Sequence, residues 1–108
     1  MTVKELVKLL ELEVLSMPAA EREIDGVYVG DLLSWVMSRA NENNAWATIM
    51  TNINVVAVAS LVGISATVIC EDCEVSDEVI STAKEKSVNL FRTKLSIYEF
   101  CLRISKLI

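Results

Sequence analysis

A run of 26 uncharged residues, 45–70, limits the folds open to this chain more than any other feature. Segments without charge are buried, either in a membrane or in a protein core. A membrane-spanning helix needs about 20 predominantly apolar residues in succession. Here seven polar residues and one glycine interrupt the run. The run is therefore predicted to form a strand, a helix and a second strand inside a covered core, and no membrane span.

Short apolar segments alternate with helical patterns along the rest of the chain. The predicted strands are 13–15, 26–30, 45–50, 66–70 and 88–91. A strand is followed by a helix four times, with short connections, which is typical of βα units. We therefore expect an α/β fold with three layers, α/β/α, around a small, mainly parallel sheet of four to five strands. All 108 residues are expected to form a single domain, 1–108.

Helix boundaries follow from local signals. Two capping boxes are predicted, one formed by Thr2 with Glu5 and one by Ser96 with Glu99. Gly63 is expected to end the third helix. The other helices are predicted to begin at small polar residues, which are Asp31, Thr51 or Asn52, and Ser76 or Asp77.

Two of the predicted helices carry little charge. The helix at 53–62 has no charged residue, so we expect it to be covered on all sides. The helix at 97–108 has one narrow polar stripe, which consists of Glu99, Arg103 and Lys106. Because one sheet face cannot cover the apolar remainder of that helix, a homodimer with two-fold symmetry is expected.

The charge of the chain excludes several partners. The net charge is −5, and the ten basic residues are scattered without a run. Phosphate backbones and anionic membrane surfaces repel such a chain, so we expect it to bind neither nucleic acid nor membrane. The first residues lack the basic start and apolar run of a signal peptide, and the number of cysteines is odd. These features predict a cytoplasmic protein.

Residues for catalysis are scarce. The chain has no histidine, which removes the commonest general base and metal ligand. Cys70 and Cys73 have the spacing of a redox motif, but the acidic residues around them should raise the thiol pKa. We interpret Cys70 as a buried strand residue and Cys73 as a loop residue. We therefore predict no catalytic residue, no metal and no cofactor, and we expect that the chain is not an enzyme.

A ligand site is predicted where parallel strands end. Ligands of open α/β sheets bind beyond the carboxyl ends of the strands, near helix N-termini. Backbone N–H groups there would bind a small anion or nucleotide, and hydroxyl and amide side chains would orient it. Several of these residues can equally serve as helix caps. The candidate ligand-binding residues are Asp31, Ser34, Thr51, Asn52, Asn54, Thr93 and Ser96.

The segments 26–36, 46–59 and 92–99 resemble stand-alone proteins of the DRTGG family. The chain is also distantly similar to the N-terminal domain of HPr kinase/phosphorylase. The resemblance covers nearly the whole chain and implies a three-layer α/β/α domain that is usually regulatory and often dimeric. The family's acidic–basic pair falls near Thr51 and Asn52, and its paired glycines fall near Glu71 and Asp72. Neither pair is retained, whereas Thr93 agrees with the pattern.

Two functions remain open at this point. The first is a non-catalytic regulatory or adaptor domain that acts as a homodimer and signals to a separate protein. The second is a small-ligand sensor that binds a nucleotide or a phosphorylated metabolite at the carboxyl ends of the strands. No phosphate-binding loop of the Gly-x-x-x-x-Gly-Lys-Ser/Thr type is present, which argues against a kinase.

Overall fold

The computed structural model describes all of residues 1–108 and contains five strands and five helices. The helices are α1 (Val3–Leu10), α2 (Leu33–Arg39), α3 (Asn54–Val62), α4 (Asp77–Glu85) and α5 (Ile97–Ile104). The strands are β1 (Glu13–Ser16), β2 (Gly26–Val29), β3 (Asn44–Thr48), β4 (Ala66–Ile69) and β5 (Leu90–Arg92). They form one sheet in the order β1-β5-β4-β3-β2. Strands β2 to β5 are parallel, and β1 is antiparallel to β5.

Helices cover both faces of this sheet. Successive strand residues point to opposite faces, so each strand contributes to two cores. One core lies under α1 and α5 and contains Leu6, Phe91 and Phe100. The other lies under α2, α3 and α4 and contains Trp46 and Leu90. The predicted three-layer α/β/α fold with a mainly parallel sheet is confirmed.

The uncharged run supplies the middle of the sheet. It contains most of β3 and the whole of α3 and β4, and every residue of the two strands is buried. Strands that are covered on both faces are apolar throughout, which explains the absence of charge. No helix has the length and apolar character needed to cross a membrane.

Most of the predicted helix boundaries are confirmed. Both capping boxes form, with the Thr2 hydroxyl accepting from the Glu5 N–H and the Ser96 hydroxyl accepting from the Glu99 N–H. Ser76 caps α4, and Gly63 ends α3 with a left-handed φ of 81°. These signals act within a few residues, so they are readable from the sequence alone.

The expectation that α3 is covered on all sides is wrong, whereas the exposure of α5 agrees with the expectation that one sheet face cannot cover that helix. Helix α3 buries one side, but Leu61 on its other side is 73% exposed. Helix α5 ends at Ile104 rather than at 108, and its Tyr98 is 71% exposed. Each helix contacts the sheet through one face only. Lack of charge therefore does not imply burial in these short helices.

Arg22 joins the loop after β1 to the end of α3. Its guanidinium donates to the carbonyl oxygens of Gly63 at 2.7 Å and Ile64 at 3.0 Å, and to Asn43 Oδ1 at 3.0 Å. A cation at this position also complements the negative end of the helix dipole.

We expect Arg22→Ala to lower the free energy of unfolding by about 2 kcal/mol, because three acceptors lose a charged donor. Arg39→Ala is the control, since Arg39 only stacks over the exposed ring of Trp35. That change should cost less than about 1 kcal/mol. Urea unfolding measures both changes, and equal losses would show that the Arg22 contacts contribute nothing specific.

Candidate functional site

The carboxyl ends of β2, β3, β4 and β5 lie at one edge of the sheet, which we call the carboxyl edge. The loops that leave this edge contain all the candidate ligand residues except Ser34 and Asn54, which lie in the first turns of α2 and α3. Strand β1 runs in the opposite direction, so its first residue, Glu13, also lies at this edge, opposite Arg92. The carboxyl edge is therefore the predicted place for a ligand in this fold.

Asp31 links the ends of β2 and β3. Its Oδ1 accepts from the Thr48 hydroxyl at 2.8 Å and from the Ile49 N–H at 2.9 Å. The prediction that Asp31 caps α2 is wrong, because the cap position is Leu32 and no side chain bonds there. The carboxylate is held by β3 instead. Ser34 lies in the first turn of α2, where it is exposed.

The connection from β3 to α3 contains three further candidates. The Asn52 Oδ1 accepts from the Asn54 N–H at 2.9 Å, just as the helix begins. Helix α3 starts at Asn54, one residue later than predicted. Asn52 and Asn54 are exposed, and Thr51 is half-buried. The prediction that Thr51 or Asn52 caps this helix is wrong, because the cap position is Ile53 and no side chain makes a cap bond there.

Thr93 and Ser96 lie in the connection from β5 to α5. The Thr93 backbone is held by β4 and by the loop after it, through bonds to the Ile69 carbonyl at 2.9 Å and from the Asp72 N–H at 3.0 Å. Its hydroxyl accepts from the Leu95 N–H at 3.2 Å. Strand β4 separates this connection from the Asn52 region, a spacing of about 9–10 Å. The structure does not bring Thr93 and the β3 candidates into one cavity.

A cavity of about 440 Å³ lies at the β1–β5 end of the carboxyl edge, and Thr93 is the one candidate that lines it. It is open to solvent on one side and is lined by the end of α1, the start of β1, the loop after β4, the β5–α5 connection and α5. Polar side chains dominate its walls, with three cations and four carboxylates. The charged lining residues are Glu11, Glu13, Asp72, Arg92, Lys94, Glu99 and Arg103.

Arg92 is the most strongly engaged cation in this cavity. Its Nη2 lies 3.0 Å from Asp72 Oδ1, and its Nη1 lies 3.5 Å from Glu13 Oε1. Its Nε donates to the Cys73 carbonyl at 2.9 Å. Arg92 therefore ties β1 to the loop after β4. The side chains of Lys94 and Arg103 make no ion pair and no hydrogen bond.

The sequence analysis did not assign Arg92, Lys94 and Arg103 to a site. A signal for two of them exists, because Arg92 and Lys94 flank Thr93, the residue that agrees with the DRTGG pattern. Arg103 is further along the chain and reaches the cavity only because α5 folds back over the sheet.

The cysteines are placed as predicted. Cys70 is buried directly after β4, and Cys73 lies in the following loop. Burial, reinforced by Cys101 and the Glu71 carboxylate, raises the pKa of the Cys70 thiol to about 12. The thiol is therefore protonated at neutral pH, which makes it a poor nucleophile. The structure contains no group of three His, Cys, Asp or Glu side chains that could hold a metal ion.

The comparison with known proteins finds a solved structure with a similar fold. No protein-family model matches the chain, and no curated protein matches it. Among solved structures, it is similar to the CBS and DRTGG domains of the regulatory region of Clostridium perfringens pyrophosphatase, in complex with the activator diadenosine tetraphosphate. The TM-score is 0.78 at 13% identity, over 95% of this chain and 45% of the other.

The chain thus spans less than half the length of the structure it matches. Identity at this level shows a shared fold. The chain therefore has a fold that is also found in a CBS and DRTGG regulatory region.

Proposed function

We propose that this chain is a non-catalytic regulatory or adaptor domain that acts as a homodimer through α5. The observation that supports the dimer is an apolar stripe on the side of α5 opposite to the core. Tyr98 and Leu102 lie one turn apart on that stripe and are 71% and 45% exposed. Phe100 and Ile104 face the sheet and are buried. Contiguous exposed apolar surface is a common feature of interaction sites.

A second copy of the chain is the partner that this stripe fits. In a two-fold pair the same surface contacts itself, so an apolar stripe meets an apolar stripe. Glu99 and Arg103 flank the stripe on one side. In an antiparallel pair of α5 helices these two residues would stay at the solvent-exposed rim of the contact.

A regulatory role is supported by the structural relative, which is a regulatory region that binds a nucleotide activator. The sequence supports the absence of catalysis, since it offers no histidine and no paired nucleophile and base. Three unpaired cysteines support a reducing, cytoplasmic setting. A dimer of this kind would signal to a separate protein, whose identity the chain does not specify.

Leu102→Glu is expected to convert the dimer to a monomer, because it places two like carboxylates in an apolar contact. Light scattering should give twice the 12.0 kDa mass of one chain for the wild type and 12.0 kDa for the variant. Leu61→Glu is the matched control, because Leu61 is more exposed and lies on α3, on the opposite face. A wild type that stays at 12.0 kDa at micromolar concentration would exclude the dimer.

A small-ligand sensor is the second candidate, and the cavity beside Thr93 favours it. Cavities of roughly 300–1,000 Å³ hold small ligands, and this one lies at the edge where the fold places them. Thermal-shift screening with nucleotides and phosphorylated metabolites tests this function. Asn52→Ala and Thr93→Val separate the two ends of the carboxyl edge, because only Thr93 lines the cavity. The absence of any shift would count against the sensor.

A further inference from the structure

We propose that the cavity at the β1–β5 end of the carboxyl edge binds the phosphate group of a small phosphorylated molecule through Lys94, Arg103 and Thr93. This inference rests on the sensor function proposed above and specifies its ligand class and its residues. It places the ligand at β5 and α5, rather than at the connection from β3 to α3.

The charges in the cavity divide into engaged and free groups. Asp72 and Glu13 are both engaged by Arg92. The Glu99 Oε1 accepts from the Ser96 N–H at 3.1 Å, as part of the capping box. The carboxylates of these three residues, together with Arg92, therefore hold the cavity walls together. They are not available to a ligand without loss of those bonds.

Lys94 and Arg103 are the free cations. Both line the cavity, and neither makes an ion pair or a hydrogen bond within the chain. The bonds from Ser96 lower the pKa of the Glu99 carboxyl, and the charge of Arg103, one turn later on α5, adds to this effect. Glu11 is the one lining carboxylate without a bonding partner. Although the lining carries four carboxylates and three cations, the two cations without a bonding partner are the groups that can donate to an anion.

Thr93 supplies a fixed donor beside these cations. Its hydroxyl oxygen already accepts from the Leu95 N–H, which leaves the hydroxyl hydrogen free to donate. The residue is buried, and its backbone is bonded to the carbonyl of β4, so its position is set before a ligand arrives. A phosphate accepts several donors at once, and the planar guanidinium of Arg103 suits two of its oxygens.

Titration calorimetry of the full chain at low salt tests the site, with ADP and inorganic pyrophosphate as probes. We expect saturable binding of both, because both carry the phosphate group that the site is proposed to bind. Lys94→Ala and Arg103→Ala should each weaken binding about tenfold, since each removes a charged hydrogen-bond donor. Lys84→Ala, on α4 at the opposite face of the sheet, should leave the affinity unchanged.

The Glu11→Gln variant is expected to change the affinity for the probes in the opposite direction. Removal of the free carboxylate should tighten binding about twofold, because it removes a repulsive charge near the phosphate. Affinity should fall as salt rises, since screening weakens contacts between exposed charges. A loss of binding in this variant would contradict the assignment of Glu11 as repulsive to the ligand, and with it an anion in this cavity.

The absence of saturable binding up to about 10 mM of either probe would overturn the site. Equal weakening by Lys84→Ala and Arg103→Ala would also overturn it, because it would show non-specific attraction. The cavity is formed within one chain, so the monomeric Leu102→Glu variant should still bind. A result against the phosphate site would therefore leave the dimer proposal standing, and a result against the dimer would leave the phosphate site standing.

Discussion

Trp46→Ala is expected to lower the free energy of unfolding by about 3–5 kcal/mol, which is the cost of removing a large buried aromatic side chain. Trp46 is fully buried on β3, in the core under α2, α3 and α4. Its Nε1–H donates to the Gly30 carbonyl at 2.9 Å, which also ties the end of β2 to β3. Since small domains are stable by about 5–15 kcal/mol, this loss removes a large part of the stability.

Trp35→Ala is the matched control, because the same residue type occurs once more in an exposed position. Trp35 on α2 is 49% exposed and contacts Arg39 at the surface. Its removal should cost less than about 1 kcal/mol. Urea unfolding at a fixed protein concentration measures both variants. Similar losses at the two positions would mean that Trp46 does not lie in the core.

Leu6→Ala is expected to cost about 2–5 kcal/mol, as for other buried leucines. Leu6 is fully buried beneath α1, in the core that also contains Phe100 of α5. The cavity left by this change cannot collapse easily, because β-sheet residues form its floor. Thermal unfolding should therefore begin at a clearly lower temperature in this variant.

Leu9→Ala controls for helix propensity and residue type, since Leu9 lies in the same helix and is 56% exposed. The change to alanine should alter stability by less than about 1 kcal/mol. If Leu9→Ala were as destabilising as Leu6→Ala, the assignment of the buried face of α1 would be incorrect.

The sequence predicted the layered α/β architecture because its signals are local. The continuous apolar segments around Ala47 and Val68 require cover on both faces of a sheet. The capping boxes at Thr2 and Ser96 bond within three residues, so no distant contact is needed to form them. Such features depend on neighbouring residues alone.

The fraction of each helix surface that is buried could not be predicted in the same way. Charge composition shows which residues tolerate burial, but the area available for burial depends on helix length and on neighbouring elements. Helices of eight or nine residues contact the sheet along one side, so Leu61 and Tyr98 remain at the surface of one chain. How much of each helix the sheet covers depends on long-range packing, which local patterns do not encode.

The candidate site shows the same limit. Ligands of open α/β sheets bind beyond the carboxyl ends of the strands, which predicted a site at the carboxyl edge. Thr93 does line a cavity there. The rule does not give strand order, however. The antiparallel pairing of Glu13 with Arg92 and the return of Arg103 on α5 are long-range contacts, and these contacts form the charged walls.

The exposed stripe of α5 is the surface on which the proposed dimer depends, and Tyr98 reports on it directly. Hydroxyl-radical footprinting with mass spectrometry measures the reactivity of Tyr98 relative to the half-buried Tyr28 of the same chain. We expect the reactivity of Tyr98 to fall several-fold as protein concentration rises, while that of Tyr28 stays constant. The Leu102→Glu variant should lose this protection. A Tyr98 reactivity that is the same at every concentration, in both proteins, would contradict the dimer through α5.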